Sequence, residues 1–526
     1  MKKKNSLLNQ FEDLFFSPLP SKKALKILLV GAEVSPYADV GGLSRVLGYL
    51  SRALRRLGHD ARIFMPKFGS IDEEKYQTKL ILEGLKVPTG NEKRPFLTCN
   101  VKLHLSPSGL PVYFLENREY YELRANVYGY SDDSTRWALL SRGCIEFLRQ
   151  NEEWIPDVVH ANDWHTGHIP NWLRTDYDKD VRLFKIATVF TIHNLQYHGN
   201  FDHRHVPELQ RDDGRSAIAD FFSERLRWQD FLRRAIIYSE VVNTVSKTYA
   251  KEILRPEFGE GLEKLLLEVR TKLFGILNGI DYQEYNPATD KLLKVNYDLN
   301  SLDKRSANKL ALQEEFDLPL DKEIPVLGYV GRIDGQKGLD LLARVLRPLL
   351  KDFKIQFVIV GGGDGGLMDL FRKLQEDFPE QVGAHLMYDP SLPRLVFSGA
   401  DLMLYPSRWE PCGLVPMEAM RYGAIPIVRA TGGLKDTVEQ FDPATNTGNG
   451  FVFQDFNGWS LFAQIVRALE TYRQKKIWRS LQKRAMSANN SWEARAQEYV
   501  DLYLKAIHFR KKKLVETERW PASAKV

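Results

Sequence analysis

Short apolar runs alternate with helical stretches along the first half of the chain. Residues 26–30 form such a run, which is typical of a buried parallel strand. A loop containing glycines follows, and apolar residues then recur at helical spacing from Leu43 to Leu57, directly before Gly58. Further apolar runs lie at 61–65, 111–115, 157–160, 187–191 and 240–245. This alternation predicts a doubly wound α/β domain.

The same alternation restarts in the second half. A strand is predicted over 324–330, followed by a helix over 339–349 and a strand over 355–360 that ends in a run of three glycines. Further strands are predicted at 401–405 and 425–428, whereas 457–510 has the pattern of helices alone. The chain therefore contains two α/β units, and they share an architecture without an internal sequence repeat.

Composition shifts suggest four segments. We place an N-terminal extension at 1–24, a first Rossmann-like domain at 25–280, a second at 281–490, and a C-terminal helix with a basic tail at 491–526. The joint lies near the loop-like stretch 278–300. In the extension, apolar residues from Leu7 to Phe15 are interspersed with acidic ones, which favours a short helix docked on the fold over a membrane anchor.

Composition narrows the functional class. The 526 residues suit two or three domains, and 43% apolar with 27% charged residues is a normal globular balance. The net charge of +6 is mild and concentrated at the chain ends, which favours solubilising tails over a nucleic-acid-binding face. Three widely spaced cysteines argue against a disulfide framework or zinc site and fit a reducing compartment. With no signal-peptide core and no apolar run near the ~18 residues of a membrane helix, we expect a cytosolic protein without a membrane partner.

Candidate binding motifs follow the predicted strands. In parallel α/β sheets, ligands bind where the carboxyl ends of the strands open into a cleft. Asp39-Val40-Gly41-Gly42-Leu43 follows the first strand and opens the first helix. Gly41 and Gly42 allow backbone amides to approach a phosphate at the positive end of a helix. A tight strand-to-helix turn with no ligand is an equally good explanation of these glycines.

Two histidine-rich motifs follow later strands of the first domain. They are H-A-N-D-W-H-T-G at 160–167 and T-I-H-N-L-Q-Y-H-G at 191–199, and they contain Asp163 and His193. A lone histidine is usually structural, but several imidazoles with a carboxylate suit a hydroxyl-rich substrate. The spacing does not match a zinc motif.

Two cations flank a strand-to-helix turn in the second domain. Arg332 and Lys337 lie five positions apart around Gly335 and Gly338. They can converge on one diphosphate and neutralise the charge of a leaving nucleotide. The alternative is a solvated turn, but the glycines and the placement after a strand favour function.

A third set of glycines and carboxylates lies farther along the second domain. Glu410-Pro411-Cys412-Gly413-Leu414 precedes Glu418, so a carboxylate pair brackets the start of a helix whose amides can hold phosphate. Thr431-Gly432-Gly433-Leu434 follows. By contrast, the D-Y-D-K-D sequence at 176–180 lacks the glycine and distal glutamate of a calcium loop, and we interpret it as a solvated connection.

Together these motifs resemble the bacterial glycogen synthase and plant starch synthase family from about residue 26 to residue 503. The matching blocks include G-I-L-N-G-I-D at 275–281, G-R-x-x-x-Q-K-G at 331–338, P-S-R-x-E-P-C-G-L at 406–414 and T-G-G-L at 431–434, besides the two histidine motifs. The resemblance implies a GT-B fold, in which two Rossmann-like doubly wound domains face a cleft and a C-terminal helix crosses back onto the first domain.

The resemblance also implies an activity. It is that of a retaining glucosyltransferase that elongates α-1,4-glucan from the nucleotide sugar ADP-glucose, with no cofactor and no metal. By the same resemblance, Arg332 and Lys337 stabilise the leaving ADP, His193 and Asp163 hold the donor glucose, and Glu410 positions that sugar. Further donor contacts are implied for Asp39, Gly41, Gly42, Cys412, Gly413, Leu414, Thr431, Gly432 and Gly433, and for Tyr388 stacking on the adenine.

Two blocks depart from the family pattern. The family has K-x-G-G-L-x-D at the first loop, whereas this chain has Asp39 and Arg45 at the two charged positions. A carboxylate in place of a lysine costs about tenfold or more in donor binding or rate. We expect Arg45 to compensate in part, by reaching the same pocket or by pairing with Asp39. After E-P-C-G-L the chain continues to Glu418, closer to the E-x7-E pattern of other GT-B enzymes.

Two alternatives stay open at this point. The chain can be a related α-glucosyltransferase that uses UDP-glucose or a small acceptor. It can also be a catalytically weak glucan-binding paralogue, for which Asp39 is the only support, while the retention of His193, Arg332, Lys337 and Glu410 argues against it. Sequence patterns leave the oligomeric state open.

Overall fold

The computed structural model describes residues 24–199, 207 and 210–517. The helix predicted within the N-terminal extension and the last residues of the basic tail lie outside the described residues. Over the rest of the chain, strands and helices alternate as the apolar pattern predicts.

The first domain is built on one nine-stranded sheet in the order β3-β4-β5-β2-β1-β6-β7-β8-β9. Its central strand β1 is buried at four of its five positions, as expected for a strand covered by helices on both faces. The strands are β1 Lys26–Val30, β2 Asp60–Pro66, β3 Lys79–Pro88, β4 Phe96–Leu105, β5 Pro111–Glu116, β6 Val158–Asn162, β7 Ala187–Ile192, β8 Val241–Thr244 and β9 Leu273–Gly275.

One edge of this sheet differs from the prediction. The apolar pattern predicts no strand between 66 and 110, whereas β3 and β4 form an antiparallel hairpin there, and β4 also pairs antiparallel with β5. Most positions of β3 are exposed, and its pairing with β4 is interrupted by register shifts. An edge strand with few buried residues carries little of the alternation that identifies strands in a sequence.

The second domain contains a six-stranded, all-parallel sheet in the order β12-β11-β10-β13-β14-β15. The four strands predicted from apolar runs are β10, β11, β13 and β14, and the sheet adds two short strands. The strands are β10 Val326–Val330, β11 Gln356–Val360, β12 Val382–His385, β13 Leu402–Tyr405, β14 Ile425–Arg429 and β15 Phe451–Phe453.

Helices cover both sheets and complete the two hydrophobic cores. The helices of the first domain are α1 Gly42–Arg56, α2 Glu73–Tyr76, α3 Asp133–Gln150, α4 His168–Arg174, α5 Glu224–Trp228, α6 Phe231–Tyr238, α7 Lys247–Glu252 and α8 Glu263–Glu268. Those that follow are α9 Arg305–Glu315, α10 Leu339–Asp352, α11 Gly365–Asp377, α12 Leu392–Gly399, α13 Leu414–Arg421, α14 Gly432–Thr437, α15 Gly458–Arg473, α16 Lys475–Ser487 and α17 Trp492–Glu516.

The last helix returns to the first domain. α17 packs against α1 and β7. Tyr503 on this helix lies 2.9 Å from Nδ1 of His160, and Arg510 donates a 2.8 Å hydrogen bond to the carbonyl of Phe184. The crossing helix that the family resemblance implies is therefore present, and the two-sheet architecture is that of the GT-B fold.

The stretch around the predicted joint is irregular, and the three thiols are buried. Between β9 and the short helical turn that starts at Leu302, the chain forms neither a helix nor a strand. Cys99, Cys144 and Cys412 are all free and buried. Across the residues that the structure describes, no helix is long and apolar enough to span a membrane.

Candidate functional site

The site lies where loops at the carboxyl ends of the two sheets meet. Ser246, after β8, donates a 2.7 Å hydrogen bond to the carbonyl of Pro411 in the second domain. Two residues farther, the Thr248 amide and hydroxyl donate to Asp436 over 2.8 and 2.6 Å. Because these bonds connect the domains directly, the loops after β10 and β13 are held opposite the loops after β1, β6 and β7.

Two carboxylates organise the glycine loop after β1. Gly41 and Gly42 are exposed at the start of α1. The Glu33 carboxylate accepts hydrogen bonds from the amides of Val40 and Gly41 over 3.0 and 2.9 Å. Burial raises the pKa of Glu33, and the charge of nearby Asp39 raises it further. The hydrogen bonds from the two amides lower this pKa but do not cancel the increase. Two of the loop amides are therefore already bonded to a carboxylate.

Asp39 is held within its own domain. Its carboxylate accepts hydrogen bonds from the hydroxyls of Ser44 and Ser35, the latter over 3.2 Å. Of the two arrangements expected for Arg45, the ion pair with Asp39 is not formed, because Arg45 extends to the second domain. Its Nη1 donates to the Tyr285 hydroxyl over 3.1 Å and lies 3.8 Å from Oε1 of Glu418. Arg45 is one turn inside α1, on the side that faces the other domain.

Asp163 and His193 form the polar end of β6 and β7. The His193 amide donates to Oδ1 of Asp163 over 2.8 Å, and Nε2 of His193 lies 3.0 Å from Oδ1 of Asn162. Burial lowers the pKa of His193 to about 3, so the imidazole is neutral at physiological pH. Burial raises the pKa of Asp163 to about 7, with the nearby Glu33 charge adding to it. Both side chains retain partial exposure and can reach a hydroxyl-rich ligand.

The other histidines of these motifs are structural. His160 lies inside β6 between Tyr503 and Thr191, 2.9 and 2.7 Å from their hydroxyls. The ring of His165 packs 5.0 Å from that of Trp137. His198 is buried, with Nδ1 3.2 Å from Asp230. Of the imidazoles predicted to bind sugar, only His193 remains available to a ligand. The others of these two motifs are buried in the core or against the crossing helix.

The two predicted cations differ in exposure and in their partners. The Arg332 side chain is 60% exposed and lies 3.4 Å from the Asp334 carboxylate. Lys337 is largely buried, and its Nζ donates to Oε2 of Glu410 over 2.6 Å. Ser407 donates a further 3.1 Å hydrogen bond to the same oxygen. The arrangement places a carboxylate and an ammonium group side by side, with a guanidinium accessible at the rim.

The E-P-C-G-L block turns the chain into α13. Gly413 has φ of +83°, a left-handed conformation that favours glycine, and it directly precedes the helix. Leu414 starts the helix and is partly exposed. Burial raises the pKa of Cys412 to about 12, so its thiol is protonated and structural. Glu418, one turn farther, is buried beside Arg45, so Glu410 and Glu418 have different cation partners.

The T-G-G-L block packs directly on the backbone of that turn. A Cβ on Gly432 would lie 1.9 Å from the Glu410 carbonyl, and one on Gly433 would lie 1.9 Å from the Cys412 carbonyl. The Gly433 amide donates to the Glu410 carbonyl over 3.0 Å. Close packing therefore requires both glycines, whatever ligand they serve.

A carboxylate of the first domain meets the same block. Glu252, at the end of α7, accepts hydrogen bonds from the Gly432 amide over 3.1 Å and from the Thr431 hydroxyl over 3.2 Å. The predicted phosphate contacts of Thr431 and Gly432 thus coincide with an existing contact between the domains. Sequence reasoning gave Glu252 no role, since it lies in no glycine or histidine motif.

Two further features flank the cations. Tyr388 follows β12 and is 79% exposed, so its ring is available for stacking. On the other side, a small cavity between the domains adjoins the residues next to His193 and Glu410. It is lined by Asn194, Gln196, Tyr249, Glu257, Phe258, Glu260 and Trp409.

Far from these motifs in the sequence, three carboxylates approach one another closely enough to hold a metal ion: Glu73, Glu116 and Glu122. Lys67 forms ion pairs with Glu73 and Glu122 over 2.8 and 3.0 Å, and Lys102 pairs with Glu73 and Glu116. Because two ammonium groups lie among the three carboxylates, this is a salt-bridge network, and it carries no prediction about the cleft.

Comparisons with known proteins agree with this geometry. The family model described as starch synthase catalytic domain matches residues 26–268, and the one described as glycosyl transferases group 1 matches residues 312–485. The chain is 40% identical to a glycogen synthase of Moorella thermoacetica over 93% of this chain and 98% of that one. It is 42% identical to one from Thermotoga petrophila over 92% of this chain and 99% of that one.

A solved structure shows the same similarity in three dimensions. The catalytic domain of starch synthase IV from Arabidopsis thaliana, bound to ADP and acarbose, matches with a TM-score of 0.81 and 31% identity. The match covers 92% of this chain and 100% of that one. Similarity therefore extends over both domains and the cleft between them.

Proposed function

The chain belongs to the glycogen and starch synthase family, and from this premise we propose that it elongates α-1,4-glucan by retaining transfer of glucose from ADP-glucose. The observation that carries the proposal is the pairing of Lys337 with Glu410 beside the exposed Arg332, opposite His193 and Asp163. Cations for a leaving diphosphate and polar groups for a hexose thus meet across one cleft.

The cations supply the driving force. As the bond between the anomeric carbon and the diphosphate breaks, negative charge grows on the nucleotide and positive charge on the sugar. Lys337 is held in place by Glu410 before the donor arrives, so it needs little reorganisation when the charge develops. Arg332, at the exposed rim, can contact the diphosphate with two N–H groups. Together they supply positive charge at the leaving group, and the proposed reaction needs no metal ion.

The opposite wall orients the sugar. His193 is neutral, so it can exchange hydrogen bonds with a hydroxyl without repelling the positive sugar in the transition state. The Glu410 carboxylate lies next to Lys337 and can accept a hydrogen bond from the donor glucose. No covalent nucleophile is proposed: the acceptor hydroxyl oxygen bonds to the anomeric carbon on the face that the diphosphate leaves, which retains the configuration. The hydroxyl proton passes to the departing diphosphate oxygen, so no separate general acid or base is needed.

We place the acceptor end in the small cavity lined by residues next to His193 and Glu410 in the sequence. Its lining combines amides and carboxylates such as Asn194 and Glu257 with the rings of Phe258 and Trp409. Hydrogen-bonding groups beside aromatic faces suit a glucose residue, which has hydroxyls at its rim and C–H groups on its faces.

ADP is the proposed nucleotide. Its support is the similarity to a starch synthase solved with ADP, together with the exposed ring of Tyr388 after β12. UDP-glucose as donor, a small acceptor, or a glucan-binding role without turnover are the alternatives, and Asp39 is the one residue that favours the last. A cytosolic setting is part of the proposal and is supported by the three free thiols.

The decisive experiment is a donor and acceptor assay. The protein is incubated with ADP-glucose or UDP-glucose, each with glycogen, and nucleotide release and glucose incorporation are both measured. We expect faster incorporation from ADP-glucose, and loss of it in Glu410→Gln. Faster transfer from UDP-glucose would overturn the donor assignment. Glycogen binding without incorporation from either donor would overturn the enzymatic proposal.

A further inference from the structure

An ion pair crosses the cleft close to the donor loops. Arg45 lies one turn inside α1, and Glu418 lies one turn inside α13. Nη1 of Arg45 is 3.8 Å from Oε1 of Glu418 and donates a 3.1 Å hydrogen bond to the Tyr285 hydroxyl. These are also the positions of the two departures from the family pattern, and the fold brings them together from 373 residues apart in sequence.

The pair joins two helices at the ends that face the ligand. α1 begins at Gly42 and α13 begins at Leu414, and a Cβ on Gly42 would lie 3.9 Å from Cδ1 of Leu414. Each helix N-terminus carries about half a positive charge. Two such ends repel each other, although the Glu33 carboxylate offsets part of the charge at the start of α1, and together they attract a diphosphate. A contact between Arg45 and Glu418 opposes that repulsion.

The second-domain side of the contact is rigid. Arg394 donates a 2.8 Å hydrogen bond to Glu284, and its guanidinium stacks 3.6 Å from the centre of the Tyr285 ring. Tyr49, one turn after Arg45 on α1, donates a second hydrogen bond across the cleft to Glu284. Arg45 therefore docks on a preformed surface and closes a small cavity whose lining includes Tyr49, Tyr285 and Glu418.

The difference in burial between the two charges favours the closed arrangement of the domains. The Glu418 side chain is only 7% exposed, whereas that of Arg45 is 39% exposed. Burial raises the pKa of Glu418, and the Arg45 charge opposes the increase. If the domains separate, Arg45 can gain water, but Glu418 loses its cross-domain cation. The contact therefore favours the closed arrangement.

We propose that Arg45 and Glu418 form a latch between the domains, which holds the N-termini of α1 and α13 at the spacing that the donor diphosphate requires. Both are positioning residues: they act on the reaction through the two helix ends. The link to the donor rests on the proposed function, whereas the latch as a contact between domains does not.

The latch has a kinetic signature. In Arg45→Ala or Glu418→Gln, the closed state is less populated, and the apparent donor affinity falls in proportion to that population. We expect the donor KM to rise about 3- to 10-fold, with a smaller change in kcat, as for a partly exposed ion pair. Because either change breaks the same contact, the double variant should be no worse than the more affected single one.

The test combines scattering with calorimetry. Small-angle X-ray scattering of the full chain without nucleotide measures domain separation, and titration with ADP measures affinity. Both latch variants should show a larger radius of gyration than wild type, and both should bind ADP more weakly. Arg56→Ala is the matched control: Arg56 lies on the same helix and pairs with Glu493 of α17 over 2.7 Å, away from the cleft.

Two results would overturn the latch. One is an unchanged radius of gyration and ADP affinity in both variants, as in Arg56→Ala. The other is strictly additive losses in the double variant, since these would mean that Arg45 and Glu418 act separately. A charge exchange, Arg45→Glu with Glu418→Arg, should recover part of the closure if the variants are folded. Absence of glucose transfer in the wild type would instead refute the proposed function and leave the scattering result to decide on the latch.

Discussion

The two walls of the cleft use their polar residues differently. The first wall consists of the first-domain loops after β1, β6 and β7, and the second wall consists of the second-domain loops after β10 and β13. In the first domain, His160, His165 and His198 are buried, and ring nitrogens of His160 and His198 lie within hydrogen-bond distance of Tyr503 and Asp230. In the second domain, Arg332 is mostly exposed, and Lys337 pairs with a carboxylate at the cleft. Both walls are equally rich in motifs, but the first uses most of them to hold its strands in place.

This difference predicts which property each substitution changes. A change at the buried histidines of the first wall should act mainly on folding, because these side chains are packed within the protein. A change at the second wall should act mainly on the reaction, because its cations have capacity left for a ligand. Each of the four predictions below can break or sharpen that contrast.

The largest effect is expected for Lys337→Ala. It removes the buried cation next to Glu410 and leaves that carboxylate without its ammonium partner. We expect kcat/KM with ADP-glucose and glycogen to fall about 10²- to 10³-fold. Lys354→Ala is the control, since Lys354 is a largely exposed lysine of the same domain that pairs with Asp321. A fall of less than threefold would remove Lys337 from the proposed mechanism.

His160→Ala should act on stability. It leaves a cavity next to β6 in the core and removes the hydrogen-bond partner of the Tyr503 hydroxyl on the crossing helix. We expect the free energy of unfolding to fall by about 2–3 kcal/mol, measured by urea denaturation. Arg332→Ala is its counterpart and should change stability by less than about 0.5 kcal/mol while impairing transfer. The contrast between the walls fails if the two variants exchange these effects.

Asp163 should make the first wall sensitive to pH. Its pKa rises from 3.8 to about 7 in the folded protein, so between these values the folded state retains a proton that the unfolded chain has lost. Stability from this group is present at low pH and is lost as pH rises toward 7, by about 1–2 kcal/mol because the residue is partly exposed.

Asp163→Asn should therefore flatten the dependence of the unfolding midpoint on pH between 4 and 8. Asp176→Asn, in the connection after α4, should retain the wild-type dependence. Identical pH profiles in wild type and Asp163→Asn would show that the carboxyl of Asp163 is ionised throughout this range.

Asp39→Lys should have the smallest effect of the four substitutions, and it should improve donor binding. A cation in the exposed glycine loop attracts the diphosphate that Asp39 repels, so we expect the donor KM to fall about 3- to 10-fold. Asp39→Asn, which removes the charge alone, should lie between the two. A higher KM in Asp39→Lys would mean that the hydrogen bonds from Ser35 and Ser44 to Asp39 shape the loop.

Much of the fold was predictable from apolar periodicity. Strands β1, β2, β5 to β8, β10, β11, β13 and β14 each coincide with a buried run, because a strand covered on both faces must be apolar at nearly every position. The hairpin of β3 and β4 was not predictable in the same way, since most of β3 is exposed. The motifs likewise placed Arg332, Lys337 and Glu410 at strand ends, where the structure has them.

Contacts between the walls could not be predicted. Nothing in the local sequence indicates that Glu252 bonds to Thr431, that Arg45 pairs with Glu418, or that Tyr503 bonds to His160. Each depends on the relative placement of segments separated by 179 to 373 residues. A long charged side chain can rotate about several bonds and can therefore pair with any of several partners. The partner that is nearest in sequence is not always the one with which it pairs.

The amino-acid pattern thus specifies the strands, the helices and the family, because burial and tight turns restrict which residues are allowed at each position. It also specifies the cation pair of the second wall, which lies within one turn. The packed structure alone assigns the partners: it turns three histidines into core residues and joins Arg45 to Glu418. Those assignments arise only when the crossing helix and the two domains come together, since polar groups then form the hydrogen bonds and ion pairs that burial requires.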